Sequence, residues 1–341
     1  MEFLKQVKKA KALESEQVTQ TVQAMLQRID AEGEKAVLEM AAEFDQWQGD
    51  VVLSAQKRQD LIAKVPAQVK ADIDFAYRQI SRFANAQRQS LQPFEMETEP
   101  GVILGQRVMP VDFAGCYVPG GRYAHAASAL MSVATAKVAG VKTVIACSPP
   151  HQGSINPAIV YAMDLAGADI ILEMGGVQAV ASMAKGLFTG HAADILVGPG
   201  NAYVAEAKRL LFGEVGIDVF AGPTESAIIA DDSADPMTVA VDLVSQAEHG
   251  PNSQVWLFTT SRALGEQVLK ILPKVAADMP NSDIVNTAWQ DYGEILLCDS
   301  DEEAANTPGD DRIGDAPRAR DEVEEQQRHH TPNVHHRDDC R

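Results

Sequence analysis

The chain of 341 residues is long enough for about two domains, and its 45% hydrophobic content is ordinary for a protein with a buried core. A net charge of −19 argues against nucleic acid or an anionic membrane as the main partner, because both demand a basic surface. No apolar run reaches the length of about 18 residues that a membrane span needs, so none is predicted.

Cysteine usage and the start of the chain predict a cytoplasmic location. The four cysteines include no Cys-x-x-Cys pair, which argues against a zinc knuckle or a redox motif. We interpret them as reduced thiols. The first residues lack the apolar core of a signal peptide. The cysteines are Cys116, Cys147, Cys298 and Cys340.

The first hundred residues show the apolar spacing of helices. Val18, Val22, Met25 and Ile29 recur at intervals of three or four residues, which predicts an amphipathic helix. The pattern favours a helical N-terminal arm over residues 1–30.

From about residue 108, short apolar runs alternate with helical patterns. Such alternation predicts an α/β fold with a mostly parallel sheet covered on both faces. The predicted strands are Phe113–Val118, Thr143–Cys147, Ile170–Met174, Ile195–Val197, Val219–Ala221, Ala227–Ala230, Val255–Thr259 and Ile295–Cys298. The predicted helices are Ala124–Ala139, Ile155–Ala166, Val177–Gly186, Ala202–Phe212 and Pro236–His249.

Several predicted strands run into turns rich in glycine and proline, such as Gly175-Gly176 and Gly198-Pro199-Gly200. Ligands of open α/β sheets bind at the carboxyl ends of the strands, and glycine allows close approach of the backbone. The turns therefore predict a ligand crevice. The dinucleotide fingerprint Gly-x-Gly-x-x-Gly, the P-loop and the nucleophile elbow are all absent from the sequence.

Gln246 and His249 are candidate metal ligands at the end of a predicted helix. Their spacing of three residues places both on one helical face, close enough to share an ion, and histidine is the commonest protein ligand of zinc. Two donors are half of a tetrahedral set. Taken alone, such a pair is more typical of a solvated helix face or a local cap.

The segment 301–341 differs in composition from the rest of the chain. It contains six arginines and no lysine, and almost no aliphatic residues beyond alanine. It cannot bury enough apolar surface to offset its ordering entropy, so we predict a disordered tail. Its four histidines are more typical of a solvated tail than of a metal site.

Five segments together resemble the histidinol dehydrogenase family over about residues 10–300. They occur in the order and spacing of that family and form a specific combination. The segments are Gly115-Cys-Tyr-Val-Pro-Gly-Gly121, Gly175-Gly-Val-Gln178, Gly198-Pro-Gly-Asn-Ala-Tyr-Val-Ala-Glu-Ala-Lys208, Ala221-Gly-Pro-Thr-Glu225 and Ser245-Gln-Ala-Glu-His-Gly-Pro251.

The resemblance implies a zinc- and NAD-dependent enzyme that oxidises a primary alcohol to a carboxylate in two hydride transfers. Tyr117, Gln178 and Asn201 match positions that contact NAD. The family is a homodimer whose sites are built by both subunits. Its fold implies two Rossmann-like domains. The first comprises residues 31–116 together with 226–300, and the second, which binds NAD, comprises residues 117–225.

By the same resemblance, Gln246 and His249 are two of four zinc ligands that also contact the substrate, and Thr224 stands at a substrate-binding position. The stretch from Gly121 to Ser128 looks more like the sulfopropanediol dehydrogenase branch, which oxidises 2,3-dihydroxypropane-1-sulfonate to sulfolactate. Arg122 and His125 are then candidate sulfonate ligands. L-Histidinol is the alternative substrate, and a turn-capping role is the alternative for Arg122.

The likeness stops after about residue 304, before the family's Pro-Glu-His segment and its other two zinc ligands. The change in composition is typical of a shifted reading frame or an artificial tail. We therefore expect residues 1–341 alone to contain the NAD crevice and half of a metal site, without turnover. A competing hypothesis is an inactive remnant that at most binds nucleotide.

Overall fold

The computed structural model describes residues 1–7, 14–120, 124–151, 153–219 and 225–307. They form a larger unit of residues 14–219 and a smaller unit of residues 1–7 and 225–307. The strands are β1 (Glu2–Lys5), β2 (Phe94–Glu99), β3 (Val102–Gln106), β4 (Phe113–Tyr117), β5 (Thr143–Ser148), β6 (Ile170–Glu173), β7 (Ile195–Val197), β8 (Gly216–Ile217), β9 (Glu225–Ala230), β10 (Gln254–Thr259) and β11 (Gly293–Leu297).

The helices alternate with the strands along most of the described chain. They are α1 (Glu14–Glu32), α2 (Glu34–Phe44), α3 (Ala55–Ala63), α4 (Ala67–Ser90), α5 (Ala126–Ala129), α6 (Thr135–Ala139), α7 (Pro157–Ala166), α8 (Gly176–Lys185), α9 (Ala202–Leu211), α10 (Pro236–Ala247), α11 (Arg262–Ala277), α12 (Ser282–Tyr292) and α13 (Asp301–Asn306). A π-helical turn (Leu130–Ala134) joins α5 to α6.

The larger unit is built on a parallel sheet with the strand order β6–β5–β4–β7–β8. Tyr117 and Cys147 pack with α1, α2, α8 and α9 on one face, whereas Cys116 and Ala146 pack with α3, α4, α5 and α7 on the other. Successive strand residues point to opposite faces, so apolar runs are expected where both faces are covered. The predicted α/β fold with parallel sheets is confirmed, and its Rossmann-like character stays a prediction.

The smaller unit contains a sheet with the order β1–β11–β10–β9, in which β9, β10 and β11 are parallel. Helices α10, α11 and α12 pack against Leu257 and Ile295 on one face. Phe258 and Leu296 form a small cluster with Ala304 on the other.

The observed units differ from the predicted domains. Helices α2 to α4 and strand β4, within residues 31–116, belong to the larger unit and not with residues 226–300. Leu53 N donates to Ile171 O of β6 at 2.9 Å, and Tyr161 Oη of α7 donates to Asp74 of α4 at 2.6 Å. These contacts tie the early helices to the sheet that follows them.

The predicted helical arm over residues 1–30 is wrong at its start. Residues Glu2–Lys5 form β1, which pairs antiparallel with β11. Leu4 packs against the core of the smaller unit, and Lys5 Nζ donates to Trp289 O at 2.7 Å. The first helix of the described residues begins at Glu14.

Strand β8 at Gly216–Ile217 precedes the predicted strand at Val219–Ala221, of which the described residue Val219 lies outside any strand. Asp218 N still donates to Leu196 O at 3.1 Å, but the Asp218 side chain turns back toward Gly198. The chain leaves the sheet at that point. Residues 220 and 221 lie outside the described residues.

The predicted disordered tail is wrong for its first residues, because Asp301–Asn306 form α13. Ser300 Oγ accepts from Glu303 N at 3.1 Å, and three acidic residues occupy the first turn, where they favour the helix dipole. Ala304 is 1% exposed. The rest of the predicted tail, from residue 308, lies outside the described residues.

Strands β2 and β3 form a separate antiparallel hairpin with every residue exposed. Met96 pairs with Leu104, and Phe94 lies on the same face as Met96. Glu95 and Glu97 lie on the opposite face. The hairpin therefore exposes an uncharged, apolar face and an acidic face.

Candidate functional site

The larger unit has its topological switch point between β4 and β7. From β4 the chain adds β5 and β6 on one side, and then β7 and β8 on the other. In open α/β sheets the crevice outside the carboxyl ends of such strands is where ligands bind. Tyr117 ends β4, and the Gly198-Pro199-Gly200-Asn201 turn follows β7.

Tyr117 is buried and supports the start of α8. Gly176 N donates to Tyr117 Oη at 3.1 Å, which satisfies one of the N–H groups that a helix leaves free at its start. Burial raises the pKa of the Tyr117 phenol well above its usual range. The phenol is therefore neutral at every physiological pH.

Gln178 is also buried and shares a carboxylate with the turn before it. Gln178 Nε2 and Gly175 N both donate to Asp45 Oδ2, each at 3.0 Å. Burial raises the pKa of Asp45. The sequence motifs did not single out Asp45, which lies 133 residues before Gln178 in the chain.

Asn201 is exposed and begins α9 as its N-cap. Its Oδ1 accepts from Tyr203 N and Val204 N, both at 3.1 Å. The N-cap role alone explains why an asparagine occupies this position, even if it binds no ligand. Its place at the switch point and its exposed amide leave it able to contact a bound molecule.

The turn before Asn201 is held by a buried lysine and a partly exposed aspartate that sequence reasoning did not assign. Gly198 N donates to Asp218 Oδ2 at 2.7 Å, and Lys208 Nζ donates to Gly198 O at 2.9 Å. Lys208 and Asp218 also form an ion pair. Lys208 is the last residue of the motif that starts at Gly198, so the motif contained this signal.

Two further polar groups lie where β5 and β6 end. Glu173 is 1% exposed and accepts from Lys57 Nζ at 2.6 Å and from Ser154 Oγ at 2.7 Å, so its buried charge is paired. Ser148 is fully buried, and its Oγ has no hydrogen-bond partner in the part of the chain that the structure describes. Gly120 leaves no room for a larger residue, because a Cβ there would lie 2.8 Å from Ser148 Oγ.

The candidate metal ligands lie in the smaller unit. Helix α10 ends at Ala247, so His249 falls in the turn that follows rather than inside the helix as predicted. His249 N donates to Gln246 O at 3.3 Å, which keeps the two residues within one turn. Gln246 is half-buried and His249 is exposed.

The described residues contain no group of three or more His, Cys, Asp or Glu side chains placed to hold a metal ion. Arg122 and Thr224 lie outside the described residues. His125 is half-buried and precedes the first residue of α5.

The described cysteines are buried free thiols: Cys116, Cys147 and Cys298. Burial raises the pKa of Cys116 to about 12, and it also raises the pKa of Cys147 and Cys298. A nucleophilic thiol needs a lowered pKa, so these thiols act as packing groups. None of the helices in the described ranges is long and apolar enough to cross a membrane.

The fold is that of an α/β protein with a parallel sheet and glycine turns at its switch point, and comparison with known proteins identifies the family. The family description "Histidinol dehydrogenase" matches residues 8–310, and the chain belongs to that family. A crystal structure of histidinol dehydrogenase from Elizabethkingia anophelis superposes with a TM-score of 0.80 at 33% identity, covering 89% of this chain and 69% of that chain.

Curated relatives give the same family. Sulfopropanediol 3-dehydrogenase from Ruegeria pomeroyi is 54% identical over 310 residues, which are 90% of this chain and 71% of the relative. A histidinol dehydrogenase homolog from the same organism is 56% identical over 289 residues, 84% of this chain and 67% of the relative. Histidinol dehydrogenase from Geobacter sulfurreducens is 39% identical over 292 residues, 84% of this chain and 68% of the relative.

Proposed function

We propose that the larger unit binds NAD at the switch point between β4 and β7. The observation that carries this proposal is the Gly198–Asn201 turn, which joins the end of β7 to the N-terminus of α9. The positive end of a helix dipole favours a pyrophosphate there. Ser148 Oγ, at the end of β5, has no hydrogen-bond partner among the described residues, which supports a polar ligand at this edge of the sheet.

In this proposal the side chains have separate tasks. Asn201 directs its amide at the cofactor while its oxygen caps α9. Tyr117 and Gln178 shape the crevice, since their polar atoms hold the start of α8 and Asp45. NAD supplies the hydride acceptor when it is bound.

The test must separate the cap from the cofactor contact. Asn201→Asp keeps a capping oxygen but replaces the amide with a negative charge. We expect NAD affinity to fall by about tenfold or more by calorimetry, with little change in melting temperature. The matched control is Asn156→Asp in the N-cap of α7, where Asn156 Oδ1 accepts from Ala158 N at 2.9 Å. Equal NAD affinity in wild type and the Asn201 variant would remove Asn201 from the site.

We propose further that the enzyme oxidises a primary alcohol to a carboxylate. The overall reaction consumes one alcohol, two NAD⁺ and one water, and yields one carboxylate, two NADH and three protons. The substrate that we favour is 2,3-dihydroxypropane-1-sulfonate. The name of the 54% identical relative supports it, whereas the relatives named histidinol dehydrogenase are 38–39% identical.

L-Histidinol is the second candidate, supported by the family description and the superposed structure. Arg122 and His125 are the proposed sulfonate ligands, and Thr224 is the proposed substrate contact common to both. Comparing kcat/KM for the two alcohols, in a chain extended to the length of its relatives, discriminates between the candidates. An Arg122→Met variant should lose the sulfonate substrate selectively. A higher kcat/KM for histidinol would reject the sulfonate.

Zinc is the proposed metal, and Gln246 with His249 would hold it. Zinc would polarise the substrate hydroxyl as a Lewis acid. A catalytic zinc site takes about three protein ligands, so this pair is incomplete without donors from beyond the described residues or from a second subunit. We therefore propose that residues 1–341 alone retain little zinc and at most bind nucleotide. Stoichiometric zinc in the purified chain, lost in His249→Ala, would contradict this.

We propose a cytoplasmic homodimer, and we place a second copy of the chain on the apolar face of the β2–β3 hairpin. An isolated hairpin is marginal in water, and Phe94, Met96 and Leu104 are 53%, 54% and 57% exposed. This face is uncharged, so two copies with a net charge of −19 meet there with least repulsion.

Light scattering tests this contact. Met96→Glu should convert a dimer to a monomer, whereas Glu95→Lys on the opposite face of the same strand should leave the mass unchanged. A dimer that survives Met96→Glu would place the contact elsewhere, and a monomeric wild type would reject the dimer.

A further inference from the structure

The Lys208–Asp218 ion pair, of which only Lys208 is buried, closes a ring around Gly198. Lys208 Nζ donates to Gly198 O at 2.9 Å, Gly198 N donates to Asp218 Oδ2 at 2.7 Å, and the two side chains form an ion pair. The Lys208 side chain is only 4% exposed, and that of Asp218 is 33% exposed. Both backbone polar groups of one residue are thus held by one pair of charges.

Gly198 needs such support because its backbone is in an unusual conformation. Its φ of +116° lies in the region that favours glycine, and its Cα faces the carbonyl of Tyr117 at the end of β4. The turn from Gly198 to Asn201 therefore runs across the end of the neighbouring strand. Its shape determines where Asn201 begins α9.

We propose that Lys208 and Asp218 are positioning residues for the cofactor: they fix the Gly198 turn so that Asn201 and the N-terminus of α9 meet NAD in one geometry. This inference rests on the proposed NAD site. It assigns to this ion pair a role in NAD affinity beyond its contribution to stability, since ion pairs shielded from water are often no more stabilising than apolar packing.

The chain provides a matched control pair at the amino ends of the strands of the same sheet. Lys137 Nζ donates to Lys142 O at 2.9 Å and to Asp169 Oδ2 at 2.7 Å, and Asp169 Oδ2 accepts from Val144 N at 2.7 Å. Chemically this is the same arrangement of lysine, aspartate, carbonyl and amide. It holds the start of β5, far along the strand from the switch point.

The experiment compares Lys208→Met with Lys137→Met in the full chain, using calorimetry with NAD and hydrogen exchange without it. For Lys208→Met we expect about tenfold weaker NAD binding and faster exchange in residues 198–204. For Lys137→Met we expect unchanged NAD binding, with faster exchange only near residues 142–145. If Lys208→Met does not fold, Asp218→Asn takes its place, with Asp169→Asn as its control.

Lys208→Arg provides the rescue test, because it restores the charge and the donors. It should recover most of the NAD affinity. Faster exchange in residues 198–204 with unchanged NAD affinity would overturn the positioning role, as would an equal loss of affinity in both methionine variants. Absence of NAD binding by the wild type would reject the proposed function itself, and this inference with it.

Discussion

The larger parallel sheet has an amino edge, where its strands begin, and a carboxyl edge, where they end, and different contacts hold these two edges. At the amino edge, short polar contacts tie the strand starts together. Asp194 Oδ2 accepts from Asp112 N at 3.0 Å and from Phe113 N at 2.8 Å, and Asp169 Oδ2 accepts from Val144 N at 2.7 Å. These carboxylates are close to the strands that they serve and need no special backbone geometry.

The carboxyl edge depends on glycine turns and buried polar groups. Gly198 has a positive φ, and Asp45, Lys208 and Glu173 form hydrogen bonds across elements. Ser148 Oγ has no partner among the described residues. The amino edge is thus held by carboxylates next to the strands, whereas the carboxyl edge, where the proposed NAD site lies, depends on contacts between distant elements.

The largest contrast is expected between two glycines with positive φ. A Cβ at Gly198 would fall directly on the Tyr117 carbonyl, whereas a Cβ at Gly140, which leads into β5, would meet Pro110 at 3.5 Å. Gly140→Ala should lose about 1–2 kcal/mol of unfolding free energy from backbone strain alone. Gly198→Ala should lose about 3–5 kcal/mol, because β4 or the turn must also move.

Urea denaturation measures both values, provided that the m-values match. Equal losses for the two alanine variants would show that the carboxyl edge is no more constrained than the other edge.

A smaller contrast is expected between two tyrosine hydroxyls. Tyr117→Phe leaves Gly176 N without its acceptor in a partly buried site and should cost about 1–2 kcal/mol. Tyr161 Oη donates to Asp74 between α7 and α4, where both residues are only half-buried and Asp74 can be hydrated once the phenol is removed, so Tyr161→Phe should cost less than about 1 kcal/mol.

Alkaline titration adds a check on Tyr161. Its hydrogen bond to Asp74 raises its pKa to about 12. The alkaline titration of the wild type should therefore include a phenol that ionises near that pH and that Tyr161→Phe lacks. Ionisation of Tyr161 at an ordinary tyrosine pKa of about 10 would contradict the contact.

The smallest effect concerns Asp45 and depends on pH. Burial holds its folded-state pKa above the ordinary value of about 3.9. At a pH between the unfolded-state and the folded-state pKa of Asp45, unfolding releases a proton. The free energy of unfolding therefore falls as the pH rises from the first pKa to the second, and it is constant at higher pH. Asp45→Asn should remove this slope. Denaturation profiles of wild type and variant that remain parallel from about pH 3 to 7 would show that Asp45 does not titrate in this way.

The local sequence predicts the order of the elements and their apolar faces. The strands at Phe113, Thr143, Ile170 and Ile195 begin where the apolar runs begin, because period-two burial and glycine turns are local properties of the chain. It also pointed to the correct family through five ordered motifs, each of which contains residues adjacent in sequence.

Contacts between groups that are distant in sequence emerge only in the folded structure. Asp45 joins Gln178, and Asp218 turns back to Gly198 and ends β8 earlier than the apolar pattern predicts. Glu2–Lys5 becomes a strand because β11 offers an edge about 290 residues later in the chain. Such contacts depend on chain reversal and on desolvation of polar groups, which local composition does not encode.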